Sequence, residues 1–206
     1  MTSLHNHKKI KTFFKKNIKN KKVKFFKQNE INNMPLGHGD VFLSMKKNNI
    51  FKWAKKRKIK HFFIFQNDNP LVFLNDFNFI KTHLINNNDI TCKVVKRIKN
   101  EPCSVLKNKK IIDWRKYRGK KSGIGFINVF LTTLNFAKKI SKNPEKYTPL
   151  RNFKRKERII MDIIKHTNEK QFIFVDRKKE FFPIKSTKGM FNKKNAQKAY
   201  NERNEK

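Results

Sequence analysis

Apolar and polar positions along this chain alternate between two periods. Val41, Leu43 or Phe42, Met45, Ile50, Phe51, Trp53 and Ala54 recur at helical spacing, predicting a helix over 40–57. His61-Phe62-Phe63-Ile64-Phe65-Gln66 then reads as a short buried strand over 61–66. A second helix is expected at 75–87, carrying Phe77, Phe79, Ile80 and Leu84, and a strand at Thr91–Arg97. Val105–Leu106 and Ile111–Trp114 flank Lys107-Asn108-Lys109-Lys110 as a hairpin. Residues 125–139 are expected to form a helix with Ile127, Phe130, Leu131 and Leu134 inward. Asn143–Arg151 reads as a loop punctuated by Pro144 and Pro149, 156–166 as a helix, and Gln171–Val175 as a strand. Val23–Lys27 is the earliest strand expected, and the polar tail from Lys188 is expected to fray. Helices and strands in alternation predict an α/β fold, a sheet with helices on both faces, and neither a repeat nor a domain boundary.

Composition changes that picture in one respect. Lys+Arg number 52 against 15 Asp+Glu, a formal net charge of +37, which ordinarily points to nucleic acid. Only nine of those basic residues are arginine, and the excess lies in Lys, Asn, Phe and Ile, as an A/T-rich coding sequence would produce. Lysine lacks the planar fork of bidentate phosphate recognition, so much of the charge reads as solvated surface with weak, salt-sensitive polyanion binding. Cys92 and Cys103 show neither metal-ligand nor disulfide-framework spacing and read as reduced core thiols. No apolar run is long enough to span a membrane, and the basic first 24 residues lack the apolar core of a signal peptide. A cytoplasmic protein with no membrane partner is the resulting expectation, with the basic N-terminus open as a targeting segment.

Candidate chemistry gathers where acids and glycines are scarce. His38 lies between two glycines in Pro35-Leu36-Gly37-His38-Gly39-Asp40, which would let backbone approach a flat ligand or a phosphate. Asp40 is expected to cap the following helix. Asp68 follows a core strand, where open α/β sheets bind ligands.

Five blocks in order carry a resemblance to the UTP:sugar-1-phosphate uridylyltransferases, the UDP-sugar and UDP-N-acetylglucosamine pyrophosphorylases. They are Phe25-Phe26-Lys27-Gln28; the loop at 35–40, which looks like PxGHGD; Phe65-Gln66-Asn67-Asp68-Asn69; Lys93-Val94-Val95 with Glu101-Pro102-Cys103-Ser104-Val105; and Met161-Asp162, Phe172–Arg177 and Glu180-Phe181-Phe182-Pro183-Ile184-Lys185. The resemblance runs from about residue 10 to 188. It implies a three-layer, Rossmann-like mixed sheet of nucleotidyltransferase type, truncated at its N-terminal side. The implied organisation is a basic segment over 1–24, a partial catalytic domain over 25–187 and a charged tail over 188–206. The implied reaction joins UTP and a sugar 1-phosphate into UDP-sugar and diphosphate. Gln28 and Gly37 would meet the uracil, His38 the ribose or sugar phosphate, and Asp68 a Mg²⁺ ion. Lys185 and Arg155 would be the catalytic cations, and Glu101 and Asp113 the acceptors for sugar hydroxyls.

Three departures stand out. Nothing in this chain resembles the family's glycine-rich loop, LxGGxGTRLG. Phe126 stands where the family has an Asn that bonds the sugar, and the segment between Gln28 and Pro35 is much shorter than the family's. The missing loop implies that this chain alone lacks the backbone cradle on which turnover depends. The reading from a different class is a basic RNA-binding protein, ribosomal or organellar, with Phe-Phe pairs as stacking platforms.

Overall fold

The computed structural model describes residues 1–18, 23–98, 101, 103–108, 110–112, 123–152 and 156–204. Two compact units divide the chain, each drawn from two separate stretches. Met1–Lys60 with Leu134–His166 form the first, and His61–Thr133 with Thr167–Lys206 form the second.

The first unit is helical. It holds α1 (His7–Asn17), the small hairpin β1 (Glu30–Ile31) and β2 (Met34–Pro35), and a 3₁₀ turn at His38–Asp40. After that turn come α2 (Val41–Lys47) and α3 (Ile50–Lys56). The second stretch adds α5 (Leu134–Lys142), the one-turn α6 (Pro144–Tyr147), the pair β8 (Arg151–Asn152) and β9 (Lys156–Glu157), and a 3₁₀ helix at Ile160–His166. The helix expected over 40–57 is broken at Asn49, which takes φ 57°. The helix expected over 156–166 forms only from Ile160, and as 3₁₀. Asn143 caps α6 by accepting the Lys146 N–H, with Pro144 at the first helical position, so the proline-marked loop contains a helical turn. Phe42, Ala54, Phe136, Ala137 and Ile163 are among this unit's buried apolar residues.

Val23–Lys27 is not a strand. Only Lys27 bridges, in parallel with Thr2, whose N–H donates to the Phe26 carbonyl at 2.9 Å. A strand needs a partner along its length, and Thr2 offers one position.

The second unit carries the sheet: β3 (His61–Ile64), β4 (Ile90–Lys96), β5 (Ser104–Lys107), β6 (Lys110–Ile112), β7 (Ile124–Thr133) and β10 (Lys170–Phe174). Its path is β10-β4-β7-β5-β6, and β3 also pairs with β7. β10 runs parallel to β4 and the other ladders are antiparallel, so the sheet is mixed. The α/β class with a mixed sheet expected from the sequence is the one observed. Helices α4 (Phe77–Ile85), α7 (Arg177–Glu180) and α8 (Lys193–Asn204) complete the unit. The tail expected to fray is helical in α8, anchored by buried Ala196 and by Arg203, which donates to the Leu71 carbonyl at 2.8 Å.

The largest departure is β7. A helix was expected over 125–139, yet residues 124–133 are the central strand and helix begins at Leu134. Gly125, Phe126, Ile127, Val129, Phe130 and Leu131 are all buried. A strand covered on both faces shows no two-residue alternation, so its apolar run also satisfies helical spacing. The strand carries a bulge: Cys92 faces Phe130 but Val94 faces Phe126, leaving Ile127–Val129 opposite Lys93. Asn128 takes φ 56° there.

Asparagine supplies most of the left-handed backbone among the described residues. Six of seven non-glycine positions with positive φ are Asn, and the seventh is Lys58. Asn32 and Asn33 close the β1–β2 hairpin, and Asn108 opens the turn between β5 and β6. A short Asn side chain tolerates this region better than other non-glycine residues. Cys92 and Cys103 are free and buried, and burial pushes both thiols up, Cys103 to about 12.

On α4 the inward positions are Phe79 and His83, whereas Phe77 is 79% exposed. His83 Nε2 lies 3.1 Å from His61 Nδ1, and its Nδ1 lies 2.9 Å from Thr91 Oγ1. Burial, and then His61, lower the His83 pKa to about 4, with Asp89 opposing. The unfolded chain therefore binds more protons than the folded one between about pH 6.5 and 4, and stability falls on acidification through that window. We expect the folding free energy to drop by about 1–2 kcal/mol between pH 7.5 and 5, with a shallower slope in His83→Gln. Urea unfolding at the two pH values measures this; identical slopes for the two proteins would count against it.

Candidate functional site

In the first unit the glycine-flanked loop is stitched to residues 157–160. Leu36 accepts the Arg158 N–H at 2.7 Å, and Gly39 donates to the Arg158 carbonyl at 3.0 Å. Gly37 takes φ 82°. A Cβ on Gly39 would sit 2.4 Å from the carbonyl carbon of Arg158 and from the Ile159 nitrogen. The observed reason for glycine at 39 is thus close approach of the chain's own backbone, where the sequence suggested approach of a ligand. His38 Nδ1 accepts the Ile160 N–H at 3.2 Å. The neutral ring accordingly carries its proton on Nε2.

Asp40 does not cap α2. Its side chain accepts no N–H from the first turn of that helix. It is fully buried instead, and its Oδ2 accepts the Asn29 N–H at 3.0 Å, the Asn29 side-chain amide at 2.7 Å and the Ser44 hydroxyl. Its Oδ1 lies 3.9 Å from Arg158 Nε. Arg158, also buried, donates to the Pro144 and Thr148 carbonyls and pairs with Glu145. These contacts hold the residue after Gln28, the His38 loop and the segment at Arg158 in one arrangement. Gln28 is half-buried, and its own N–H donates to the Thr2 carbonyl at 2.8 Å. Asn29, Ser44 and Arg158 were not selected from sequence, and Asp40 was selected only as a helix cap. The available signal was scarcity, an acid directly after a glycine-flanked histidine and an arginine in a lysine-dominated chain.

In the second unit Asp68 and Lys185 form an ion pair, each with a partly exposed side chain. They are brought together by backbone: the Ile184 N–H donates to the Asp68 carbonyl at 2.7 Å. Buried Asn69 clamps the same two segments. Its Nδ2 donates to the Glu180 carbonyl at 2.8 Å, and its Oδ1 accepts the Phe182 N–H at 3.0 Å. Beneath this clamp Lys93, with no exposed side-chain surface, lies 2.6 Å from Asp76 and 2.5 Å from Glu180. Asp76 also caps α4 by accepting the Phe79 N–H at 3.0 Å. Burial alone would push the Asp76 carboxyl up, but Lys93 and the Phe79 and Asn78 N–H groups carry it below its usual value. Burial holds Glu180 above its usual value despite Lys93.

Glu101 is fully buried, pairs with Arg177 and accepts the Ile98 N–H at 3.3 Å. The geometry gives its carboxylate a structural partner, where the sequence suggested a sugar hydroxyl. Asp113 and Arg155 lie outside the described residues. Gln28, Gly37 and His38 belong to the first unit, and Asp68, Glu101 and Lys185 to the second.

The described residues hold no group of three or more His, Cys, Asp or Glu placed to bind a metal ion. No helix among them is long and apolar enough to cross a membrane.

Residues 26–104 match the family described as UTP–glucose-1-phosphate uridylyltransferase. No curated protein matches the sequence. Among solved structures, the fold is similar to an Entamoeba histolytica protein described as a UDP-N-acetylglucosamine pyrophosphorylase, with TM-score 0.80 and 19% identity over 97% of this chain. It is also similar to the Trypanosoma brucei UDP-N-acetylglucosamine pyrophosphorylase solved with an inhibitor, with TM-score 0.77 and 16% identity over 95% of this chain. A Leishmania major UDP-glucose pyrophosphorylase variant bound to UDP-glucose matches at TM-score 0.57 and 15% identity, over 73% of this chain and 40% of its own length. This chain spans 64% of the Entamoeba protein and 51% of the Trypanosoma protein. At these identities the structures speak for the fold, and they lend the RNA-binding alternative no support.

Proposed function

We propose that this chain, whose residues 26–104 match the UTP–glucose-1-phosphate uridylyltransferase family and whose fold is similar to UDP-sugar pyrophosphorylases, is a uridine-nucleotide-binding unit of that chemistry. The reaction is UTP plus sugar 1-phosphate giving UDP-sugar and diphosphate. The observation that carries the reading is the clamp on Asp68 and Lys185. A carboxylate and an ammonium are fixed side by side by backbone and by Asn69, yet both keep exposed surface. Such a pair suits a phosphate-handling role, because attack of a sugar-phosphate dianion on a triphosphate brings negative charges together.

In this reading Lys185 neutralises phosphate oxygens, with Arg155 as a second cation. Gln28 offers an amide donor and acceptor to the uracil edge, Gly37 its backbone, and His38 the Nε2 proton to the ribose or sugar phosphate. Asp113 accepts from a sugar hydroxyl. Asp68 fits Mg²⁺ as a hard oxygen donor with exposed surface, the single-carboxylate kind of site that substrate phosphates and water complete. When bound there, the ion would supply charge neutralisation on phosphate oxygens.

Isothermal titration with UTP tests the proposal. Binding that strengthens with Mg²⁺ is expected, and Asp68→Ala and His38→Ala are each expected to weaken it about 10-fold or more. Heats unchanged by both substitutions would remove these assignments. Assaying diphosphate release with a panel of sugar 1-phosphates then asks whether the chain turns over by itself.

A further inference from the structure

Main chain on both sides of the Asp68–Lys185 pair is tied down. The Ile184 N–H donates to the Asp68 carbonyl, and the Lys185 N–H donates to the Phe191 carbonyl at 2.8 Å. The Phe182 and Phe191 rings pack with centroids 5.9 Å apart, and Asn69 accepts the Phe182 N–H. Motion at the pair is therefore left to its side chains, which are 35% exposed for Lys185 and 30% for Asp68. Lysine carries its charge on a flexible four-carbon stem, whereas the aspartate carboxylate sits one carbon from the fixed backbone. The ammonium is thus the partner that can leave.

Lys93 shows the contrast. It has no exposed side-chain surface and lies between two carboxylates, so its departure would strand buried charge. A partly exposed pair such as Asp68–Lys185 holds together only weakly, and water or an incoming anion can take its ammonium.

Lys185 sits on Asp68 Oδ2, the carboxylate that suits a divalent cation. Among the described residues no group of three His, Cys, Asp or Glu is placed to hold such an ion. A single carboxylate binds a divalent ion weakly and relies on phosphate oxygens and water for the remaining positions. While Lys185 neutralises it, little charge is left to attract a cation that arrives alone, and the ammonium repels one. A nucleoside triphosphate reverses both effects, because its oxygens draw the ammonium away and supply the ligands that Asp68 lacks.

Building on the phosphate-handling reading of this pair, we propose that Lys185 is a resident counter-ion of Asp68. It keeps a free divalent cation off the carboxylate and yields the position only when cation and nucleotide phosphate arrive together. The two ligands then bind with positive coupling, each raising the affinity for the other by the same factor.

Titration of Mn²⁺ into the full chain without nucleotide, read from the EPR signal of the free ion, tests this. Lys185→Met is neutral and close in size, and it is expected to bind Mn²⁺ about 5-fold more tightly than wild type. The same variant should bind UTP in metal-free buffer about 10-fold more weakly. Lys185→Arg, which keeps the charge, should show no gain in Mn²⁺ affinity. Asp68→Asn added to Lys185→Met should abolish the gain, locating it at this carboxylate. UTP should tighten Mn²⁺ binding by a larger factor in wild type than in Lys185→Met, which has no ammonium to move. A lysine that merely props the segment would leave Mn²⁺ affinity unchanged or lower in Lys185→Met, and either result overturns the proposal, as does a gain that survives Asp68→Asn. Mg²⁺–UTP binding insensitive to Asp68→Ala would remove the functional reading and this proposal together. Binding that depends on Asp68, with Mn²⁺ affinity unchanged in Lys185→Met, would remove this proposal alone.

Discussion

Lys93→Met is expected to destabilise the protein by about 3–5 kcal/mol, because it strands two carboxylates in a site where the ammonium leaves no exposed surface. Methionine fills most of the lysine volume, so the loss reports charge more than cavity. For a chain of this size the melting temperature should fall by about 10 °C. The triple variant Lys93→Met, Asp76→Asn, Glu180→Gln removes the charges together. The cap on α4 would survive the change at Asp76, since asparagine is as good an N-cap as aspartate. We expect the triple variant to recover most of the loss, as replacing a whole buried ion network is far milder than removing one partner. Chemical denaturation of the three proteins decides the point. Equal stability of wild type and Lys93→Met would mean that the carboxylates are protonated or solvated in the folded state. The consequence reaches the candidate site, because Glu180 begins the segment that Asn69 clamps and that ends at Lys185.

Gly39→Ala should be nearly as damaging, costing about 3 kcal/mol or more, because the added carbon would meet backbone atoms at 2.4 Å and nothing flexible can withdraw. Gly189→Ala is the control. Gly189 also has positive φ, 82°, but open space surrounds its Cβ position, so only backbone strain of about 1 kcal/mol applies. Thermal melts of the two variants should therefore separate clearly. Comparable small losses would show that the loop at 35–40 can move away from Arg158. Since Ile160 donates to His38, such movement would also change where that imidazole sits.

How much of this was legible depended on whether a residue's environment is set locally. The hairpin between β5 and β6 was readable because turn and flanking strands lie within a few residues. So were β3, β4 and β10, short apolar runs bounded by polar stretches. The order of the motif blocks pointed to the fold that the solved structures share. Scarcity pointed to Asp68 and His38, and the structure anchors both. It could not say that Asp68 meets Lys185, because 117 residues separate them.

Local pattern determined, for this chain, that it folds as α/β, where most helices and strands lie, and which few residues could bear chemistry. Tertiary structure alone decided that 124–133 is the central strand, since burial on both faces erases the period that tells strand from helix. It decided that Val23–Lys27 stays outside a ladder, because strand pairing needs a neighbour and not only a propensity. It gave Asp40 to Asn29 and Ser44 rather than to a helix end, and set Lys93 between Asp76 and Glu180. The partners of a buried charge come from anywhere in the chain, and only the folded packing brings them within hydrogen-bonding distance.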